Sequence, residues 1–201
     1  MLPVIGVRVG RRQERSAIAV AEIERRDNEW HYGVRFLESL PVGFRYPEVA
    51  QRLAVVCQKV AEQTERQPAV FVDATGLGEP VVRVLKGEAR AAQSFWSVYF
   101  NGGDRRDEDR SSRTLTLGKA FLVSQLLTLL QTERLHLPNT PEAKALASDL
   151  LDFELQVHPE RNALSPSFRV GRRDHLVTAL GLAAQVEPRV SVYPGACFYG
   201  I

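Results

Sequence analysis

The stretch "VFVDATGLGEP", residues 70–80, runs from three apolar residues into Asp73 and then into a glycine-rich turn. A short run that is wholly apolar is typical of a strand buried on both faces of a sheet. Pro80 lies where a proline is accepted at the start of a helix. We therefore predict a buried strand over 69–73, a tight turn, and a helix over 79–89. The carboxylate that ends this strand needs a partner, because a buried unpaired charge is costly.

Working outward, the chain before this stretch predicts an antiparallel meander followed by a helix. Alternating, β-branched segments separated by short polar turns indicate strands over 3–9, 16–24 and 29–40. Apolar residues spaced as one helix face follow from Tyr46 until Pro68 stops the pattern. Beyond the opening stretch, "SFWSVYF" at 94–100 indicates a fifth strand.

The rest of the chain predicts helices. Residues 101–113 are all polar or glycine, which favours a mobile charged loop or a small solvated hairpin. We predict a buried helix over 115–130, a second over 140–157 with Thr140 as its N-cap, and a third after Asp174. The result is an α/β fold whose mixed five-stranded sheet combines an antiparallel meander with βαβ crossovers. We assign it to one domain over 1–188, with a tail over 189–201.

The amino-acid composition limits the classes of function that the chain can have. Of 201 residues, 44% are hydrophobic and 25% charged, as in ordinary globular proteins, and no apolar run reaches the length of a membrane span. Cys57 and Cys197 stand far apart without a CxxC pattern, which argues against a zinc site and fits a reducing cytoplasm. Arginine supplies 22 of the 26 basic residues. That bias reflects either genome composition or heat adaptation, or contact with phosphates.

Five segments occur in the order and spacing of motifs in one family. They are "VIGVRVG" at 4–10, "VFVDATGLGEPVVRVL" at 70–85, "GKAFLVSQLLTLLQTERLHLP" at 118–138, "LASDLLDF" at 146–153 and "GRRDHLVTALGLAA" at 171–184. Together they resemble the C-terminal nuclease domain of phage large terminases, the DNA-packaging motors. The resemblance implies a ribonuclease H-like fold and relatedness to metal-dependent DNA endonucleases.

The resemblance also implies partners. Double-stranded DNA would be the substrate, a terminase ATPase or a portal-type protein a further partner, and the cytoplasm of a bacterial host the location, with a phage or prophage origin. The sequence holds no GxxxxGK[ST] phosphate loop, so the chain is either an excised nuclease domain or a stand-alone relative.

By the same resemblance, the family's metal ligands fall on Arg8, Asp73 and the pair Asp174–His175. Magnesium or manganese would bind there if the domain is active. The sequence departs from the family pattern because Arg8 replaces the first aspartate, His175 replaces the second residue of an Asp-Asp pair, and Arg15 replaces another aspartate. We therefore expect a weakened or inactive nuclease, with an active enzyme of altered ligation as the alternative.

A guanidinium cannot ligate a metal, and near a divalent ion it repels by several kcal/mol at an effective dielectric of about 20. We predict instead that Arg8 pairs with Asp73, and with Asp174 if it reaches that far. The other interpretations stay open at this point. Asp73 caps the following turn, Asp174 is an ordinary helix N-cap, and His175 is a surface or core histidine.

Contact with DNA is the remaining expectation. Lys119 at a helix start and the turn at Gly76 and Gly78 offer positive charge and backbone N–H groups to phosphates. Further arginines add to the candidate surface: Arg105, Arg106, Arg110, Arg113, Arg172 and Arg173. Acidic residues between some of them support a solvated lid instead.

Three other functions compete. A sugar-kinase or actin-like ATPase shares the sheet but needs two copies of it, and a Holliday-junction resolvase needs more carboxylates. A non-catalytic interaction module needs neither.

Overall fold

The computed structural model of this chain describes residues 1–11, 13–103, 105–151 and 174–186. Within them it has eight strands: β1 (Leu2–Arg8), β2 (Ala17–Arg26), β3 (Glu29–Ser39), β4 (Ala69–Asp73), β5 (Ser94–Asn101), β6 (Arg106–Asp109), β7 (Thr114–Gly118) and β8 (Leu135–His136). Five helices accompany them: α1 (Tyr46–Thr64), α2 (Glu79–Glu88), α3 (Lys119–Gln131), α4 (Pro141–Leu151) and α5 (His175–Ala183).

The strands form one mixed sheet in the order β6-β7-β5-β4-β1-β2-β3-β8. The meander β1–β2–β3 is antiparallel, whereas β1, β4, β5 and β7 run parallel to one another. This confirms the predicted fold class and the five predicted strands at the centre of the sheet. Three short strands, β6, β7 and β8, extend the sheet at its two ends.

The predicted helix over 115–130 is wrong at its start. Leu115 and Leu117 are buried and alternate with half-buried threonines, so these residues follow the two-residue period of a strand. The helix begins only at Lys119, after Gly118. The hairpin alternative for 101–113 is the correct one, because β6 and β7 are antiparallel partners joined by a short turn.

The remaining predicted helices are present. Thr140 caps α4 as expected, with its Oγ1 accepting the Ala143 N–H at 3.2 Å. The predicted end of that helix at residue 157, and the tail over 189–201, lie outside the described residues.

Two apolar cores sandwich the sheet, one under α1 and α2 and the other under α3, α4 and α5. Gly6 in β1 allows α5 to approach closely, since a Cβ at Gly6 would lie 1.9 Å from the carbonyl oxygen of Ala179. The first residues of α5 are thereby brought to the edge of the sheet where β1 and β4 end. In the described part of the chain, no helix combines the length and the apolar character needed to cross a membrane.

Candidate functional site

Arg8 and Asp73 are the last residues of two neighbouring parallel strands, β1 and β4. Residues at the ends of such strands share one edge of the sheet, and here their side chains meet. Arg8 Nη1 lies 3.3 Å from Asp73 Oδ2. The ion pair that the sequence predicts is therefore present at the point where the opening stretch turns.

Arg8 is held by more than Asp73. Its Nη2 donates to Glu14 Oε2 at 2.9 Å, and its Nη1 donates to the carbonyl oxygen of Val9 at 2.7 Å. Partial burial acts to raise the pKa of Glu14, but the Arg11 N–H and the charge of Arg8 lower it below its ordinary value. Among the described residues, Arg8 forms no ion pair with Asp174, the second contact that the sequence analysis considered.

Asp73 is buried, with 4% of its surface exposed. Its Oδ1 accepts the backbone N–H of Thr75 at 3.0 Å, and Thr75 Oγ1 in turn accepts the Phe100 N–H at 2.8 Å. Burial raises the pKa of Asp73, although Arg8, Thr75 and Lys119 act in the opposite direction. Asp73 thus caps the turn and also pairs with Arg8, so the two interpretations are compatible.

Asp174 is paired with a different cation. It occupies the N-cap position of α5, but its side chain makes no capping hydrogen bond. Its Oδ2 lies 3.5 Å from Lys119 Nζ, at the start of α3. The same ammonium lies 5.7 Å from the centre of the Phe100 ring, and its charge also acts on Asp73. Asp73 and Asp174 are therefore paired with different side-chain cations, Arg8 and Lys119.

His175 is half-buried and hydrogen-bonded. Its Nε2 lies 2.9 Å from Ser39 Oγ, at the end of β3. Burial lowers the pKa of His175; the carboxylate of Asp174 opposes this, and the charges of Arg15 and Arg8 add to it. This shift favours the neutral imidazole, and one of its nitrogens is already engaged with Ser39.

These residues do not fit a pair of divalent ions. A two-metal centre needs several oxygen ligands turned toward a common point. Here the Asp73 carboxylate faces a guanidinium and the Asp174 carboxylate faces an ammonium. Within residues 1–11, 13–103, 105–151 and 174–186, no three His, Cys, Asp or Glu side chains are grouped closely enough to hold a metal.

The candidate DNA-contact residues are spread out. Gly76 and Gly78 lie in the turn between β4 and α2 with φ of +67° and +79°, close to Asp73. Arg113 lies at the opposite end of β7 from Lys119, about 20 Å away at the ordinary rise of a strand. Arg172 and Arg173 lie outside the described residues.

In the β6–β7 hairpin, Arg106 and Arg110 both pair with Glu108. Their charges are therefore compensated within the hairpin, which agrees with the solvated alternative for this segment. Arg105, which precedes β6, is exposed.

Sequence reasoning missed three residues of the site: Glu14, Ser39 and Thr75. Ser39 could have been found from topology, because β3 runs in the same direction as β1 and must end at the same edge. Thr75 follows Asp73 in the pattern of a side-chain-capped turn. Glu14 has no comparable signal, since it lies in a turn whose path the sequence does not determine.

No family model matches the sequence, and no curated protein matches it significantly. Solved structures do match it in shape. The nuclease domain of the human cytomegalovirus terminase has a TM-score of 0.56 at 10% identity, over 90% of this chain and 81% of that one. The same domain soaked with Mn gives 0.53 at 12% identity, over 90% and 80%. The large terminase nuclease domain of bacteriophage SPP1, with bound Mn, gives 0.49 at 10% identity, over 91% and 85%.

The comparison with the cytomegalovirus domain confirms the fold implied by the sequence resemblance. The chain has the ribonuclease H-like fold of terminase nuclease domains. At 10–12% sequence identity this likeness in shape shows the fold alone, so the chemistry has to be argued from the residues of this chain.

Proposed function

We propose that this chain is a terminase-type, ribonuclease H-fold domain that contacts double-stranded DNA and whose metal-dependent phosphodiester hydrolysis is weakened or lost. The observation that carries the proposal is the ion pair between Arg8 and Asp73 at 3.3 Å. In the family that the sequence resembles, an aspartate at the position of Arg8 shares a metal with the aspartate at the position of Asp73.

The charges of the site support this proposal. Arg8 and Lys119 each neutralise one carboxylate, and a guanidinium at this position would repel a divalent ion by several kcal/mol at an effective dielectric of about 20. If the domain does bind magnesium or manganese, Asp73 and Asp174 are the residues that would hold it. The ion would then supply charge stabilisation at the scissile phosphate.

Contact with DNA is supported by the fold and by exposed positive charge at the same end of the strands. Arg11 and Arg15 are exposed in the turn that follows β1, and neither guanidinium is in an ion pair among the described residues, although the charge of Arg11 also acts on Glu14. Guanidinium groups suit phosphate oxygens. In a packaging assembly, a separate terminase ATPase and a portal-type protein would be the partners.

The test is to restore the carboxylate. Arg8→Asp should take up Mn²⁺ in isothermal titration calorimetry and the wild type should not, because the substitution exchanges a repelling cation for a ligand. Arg35→Asp is the matched control. Arg35 is also an ion-paired arginine on the sheet, with its Nε 2.8 Å from Glu22 Oε2, but far from the site.

Two results would contradict the proposal. One is an Arg8→Asp protein that is folded by circular dichroism yet takes up no Mn²⁺. The other is cleavage of plasmid DNA by the wild type with Mn²⁺ that Asp73→Asn abolishes, which would establish an active nuclease with altered ligation.

Filter binding tests the DNA contact separately. Retention of a duplex at low salt that is lost at high salt supports it, and no retention at any salt favours the interaction module.

A further inference from the structure

The Arg11 guanidinium lies over Gly76, in a space that the glycine leaves open and that we call the Arg11 seat. A Cβ placed on Gly76 would lie 2.1 Å from Arg11 Nη2 and 3.2 Å from Arg11 Cζ. Gly76 also has a φ of +67°, which side chains other than glycine seldom adopt. The glycine therefore serves two purposes, since it forms the turn after β4 and leaves the room in which the guanidinium lies.

The charge of Arg11 is available to a ligand. Its guanidinium makes no hydrogen bond and no ion pair with the described residues, and the side chain is exposed. Glu14 accepts the Arg11 backbone N–H at 3.4 Å and feels the charge of Arg11, but its side-chain ion pair is with Arg8 at 2.9 Å. Some arginines elsewhere on the surface are in ion pairs, such as Arg45 with Glu48 and Arg83 with Glu79.

The seat adjoins the candidate site. Arg11 follows Arg8 by three residues and Gly76 follows Asp73 by three, so the guanidinium lies at the rim of the Arg8–Asp73 pair. Because it covers Gly76, this turn presents a guanidinium to an approaching anion rather than bare N–H groups.

We propose that Arg11, positioned by Gly76, contacts a backbone phosphate of bound DNA. The inference rests on the proposed function, because it needs the domain to bind a duplex. It replaces the expectation that the N–H groups of Gly76 hold the phosphate. A guanidinium presents several N–H donors in a fork that matches phosphate oxygens, so a single seated arginine suffices for one contact.

Fluorescence anisotropy with a labelled duplex, over a series of NaCl concentrations, tests the proposal with three variants. Arg11→Ala should weaken binding about five- to tenfold and make the slope of log K against log salt shallower by about 1. Gly76→Ala should give a similar loss with the charge retained, because the new methyl group displaces the guanidinium. Arg11→Lys should fall between Arg11→Ala and the wild type.

Two control variants distinguish the effect of the Arg11 seat from the general effects of losing a surface charge and of straining the backbone. Gly43→Ala imposes the same kind of strain, with a φ of +91°, at a position where a Cβ meets nothing within 4 Å. Arg66→Ala removes an exposed charge next to the start of β4, away from the site. Both should bind the duplex within about twofold of the wild type. Melting curves establish that each variant is folded.

The outcomes distinguish this inference from the proposed function. If the wild type binds no duplex, the proposed function fails and the inference fails with it. If the wild type binds and Arg11→Ala binds equally well, or Gly76→Ala binds no worse than Gly43→Ala, only the inference fails. As an independent readout, the Arg11 Nε–H resonance should shift when duplex is added to the wild type and should stay in place in Gly76→Ala.

Discussion

Asp73 and Asp109 use the same local chemistry with opposite results. Each ends a strand, and each accepts the N–H of the residue two positions on, Thr75 at 3.0 Å and Ser111 at 2.9 Å. Yet burial raises the pKa of Asp73, whereas hydrogen bonds from Ser111 and Ser112 lower the pKa of Asp109 to about 2. The pKa of a turn-capping aspartate therefore depends on the position of its strand in the sheet.

The sheet order explains the difference. Asp73 ends β4, which lies between β1 and β5 and is buried along its whole length. Asp109 ends β6, an edge strand that water reaches. Water and hydroxyl groups stabilise the exposed carboxylate, but the buried one depends on a nearby cation. Arg8 is that cation, so removing it should matter far more than any change at the edge of the sheet.

The largest effect is expected for Arg8→Ala, which leaves Asp73 buried without its ion-pair partner. Breaking a buried pair in this way costs about 3 kcal/mol of unfolding free energy, which for a domain of this size lowers Tm by about 6–12 °C. Differential scanning calorimetry at neutral pH measures the shift.

Asp73→Asn sharpens this prediction, because Arg8 retains Glu14 and the Val9 carbonyl oxygen when Asp73 loses its charge. We expect that variant to be much less destabilised than Arg8→Ala. Equal losses of unfolding free energy in the two variants would contradict this. They would mean that the ion pair itself stabilises the fold, and that leaving Asp73 buried without a partner adds no further cost.

Much of this arrangement could be predicted from the sequence. The apolar run before Asp73 predicted a buried strand, and the period-two pattern before Arg8 predicted its neighbour. Their meeting then followed from the topology that the family resemblance implied. The partners of the pair could not be predicted in the same way. Glu14 reaches Arg8 only because the turn after β1 folds back, with the Glu14 N–H bonded to the Arg11 carbonyl oxygen at 2.7 Å.

The assignment of Asp174 and of residues 115–118 shows where pattern reasoning stops. A helix N-cap was a sound expectation for Asp174, but Lys119 attracts its carboxylate instead, and that contact depends on how α3 and α5 pack. Residues 115–118 are too few to establish a two-residue period when an apolar helix follows directly. Short strands at a sheet edge take their conformation from the neighbouring strand, and the local sequence does not reveal that neighbour.

The second effect is a pH dependence of opposite sign at the two aspartates. The folded pKa of Asp73 lies above its ordinary value of 3.8, so between those two values the native state binds more protons. Its contribution to the free energy of unfolding therefore falls as pH rises through that window. For Asp109 the folded pKa is about 2, so its contribution grows as pH rises from about 2 to 3.8.

Urea melts of the wild type, Asp73→Asn and Asp109→Asn across acidic pH measure both slopes. The free energy of unfolding of the wild type minus that of Asp73→Asn should fall as the pH rises. The same difference taken with Asp109→Asn should increase as the pH rises. Carboxyl ¹³C titrations assign the two groups directly. A pKa of Asp73 below 3.8 would mean that the charge of Arg8 outweighs burial, and the contrast between the two aspartates would disappear.

The smallest effect is expected for Asp109→Ala at neutral pH. This substitution removes hydrogen bonds to Ser111 and Ser112, but water replaces them because the turn is exposed. The decrease in Tm should therefore be well below that of Arg8→Ala. Any loss of structure should be confined to the hairpin. Hydrogen exchange distinguishes a local change from a global one: the amides of β6 should exchange faster while those of β4 keep their protection. Faster exchange in β4 would show that the edge hairpin and the buried pair form one cooperative unit, which would overturn the separation between the two regions.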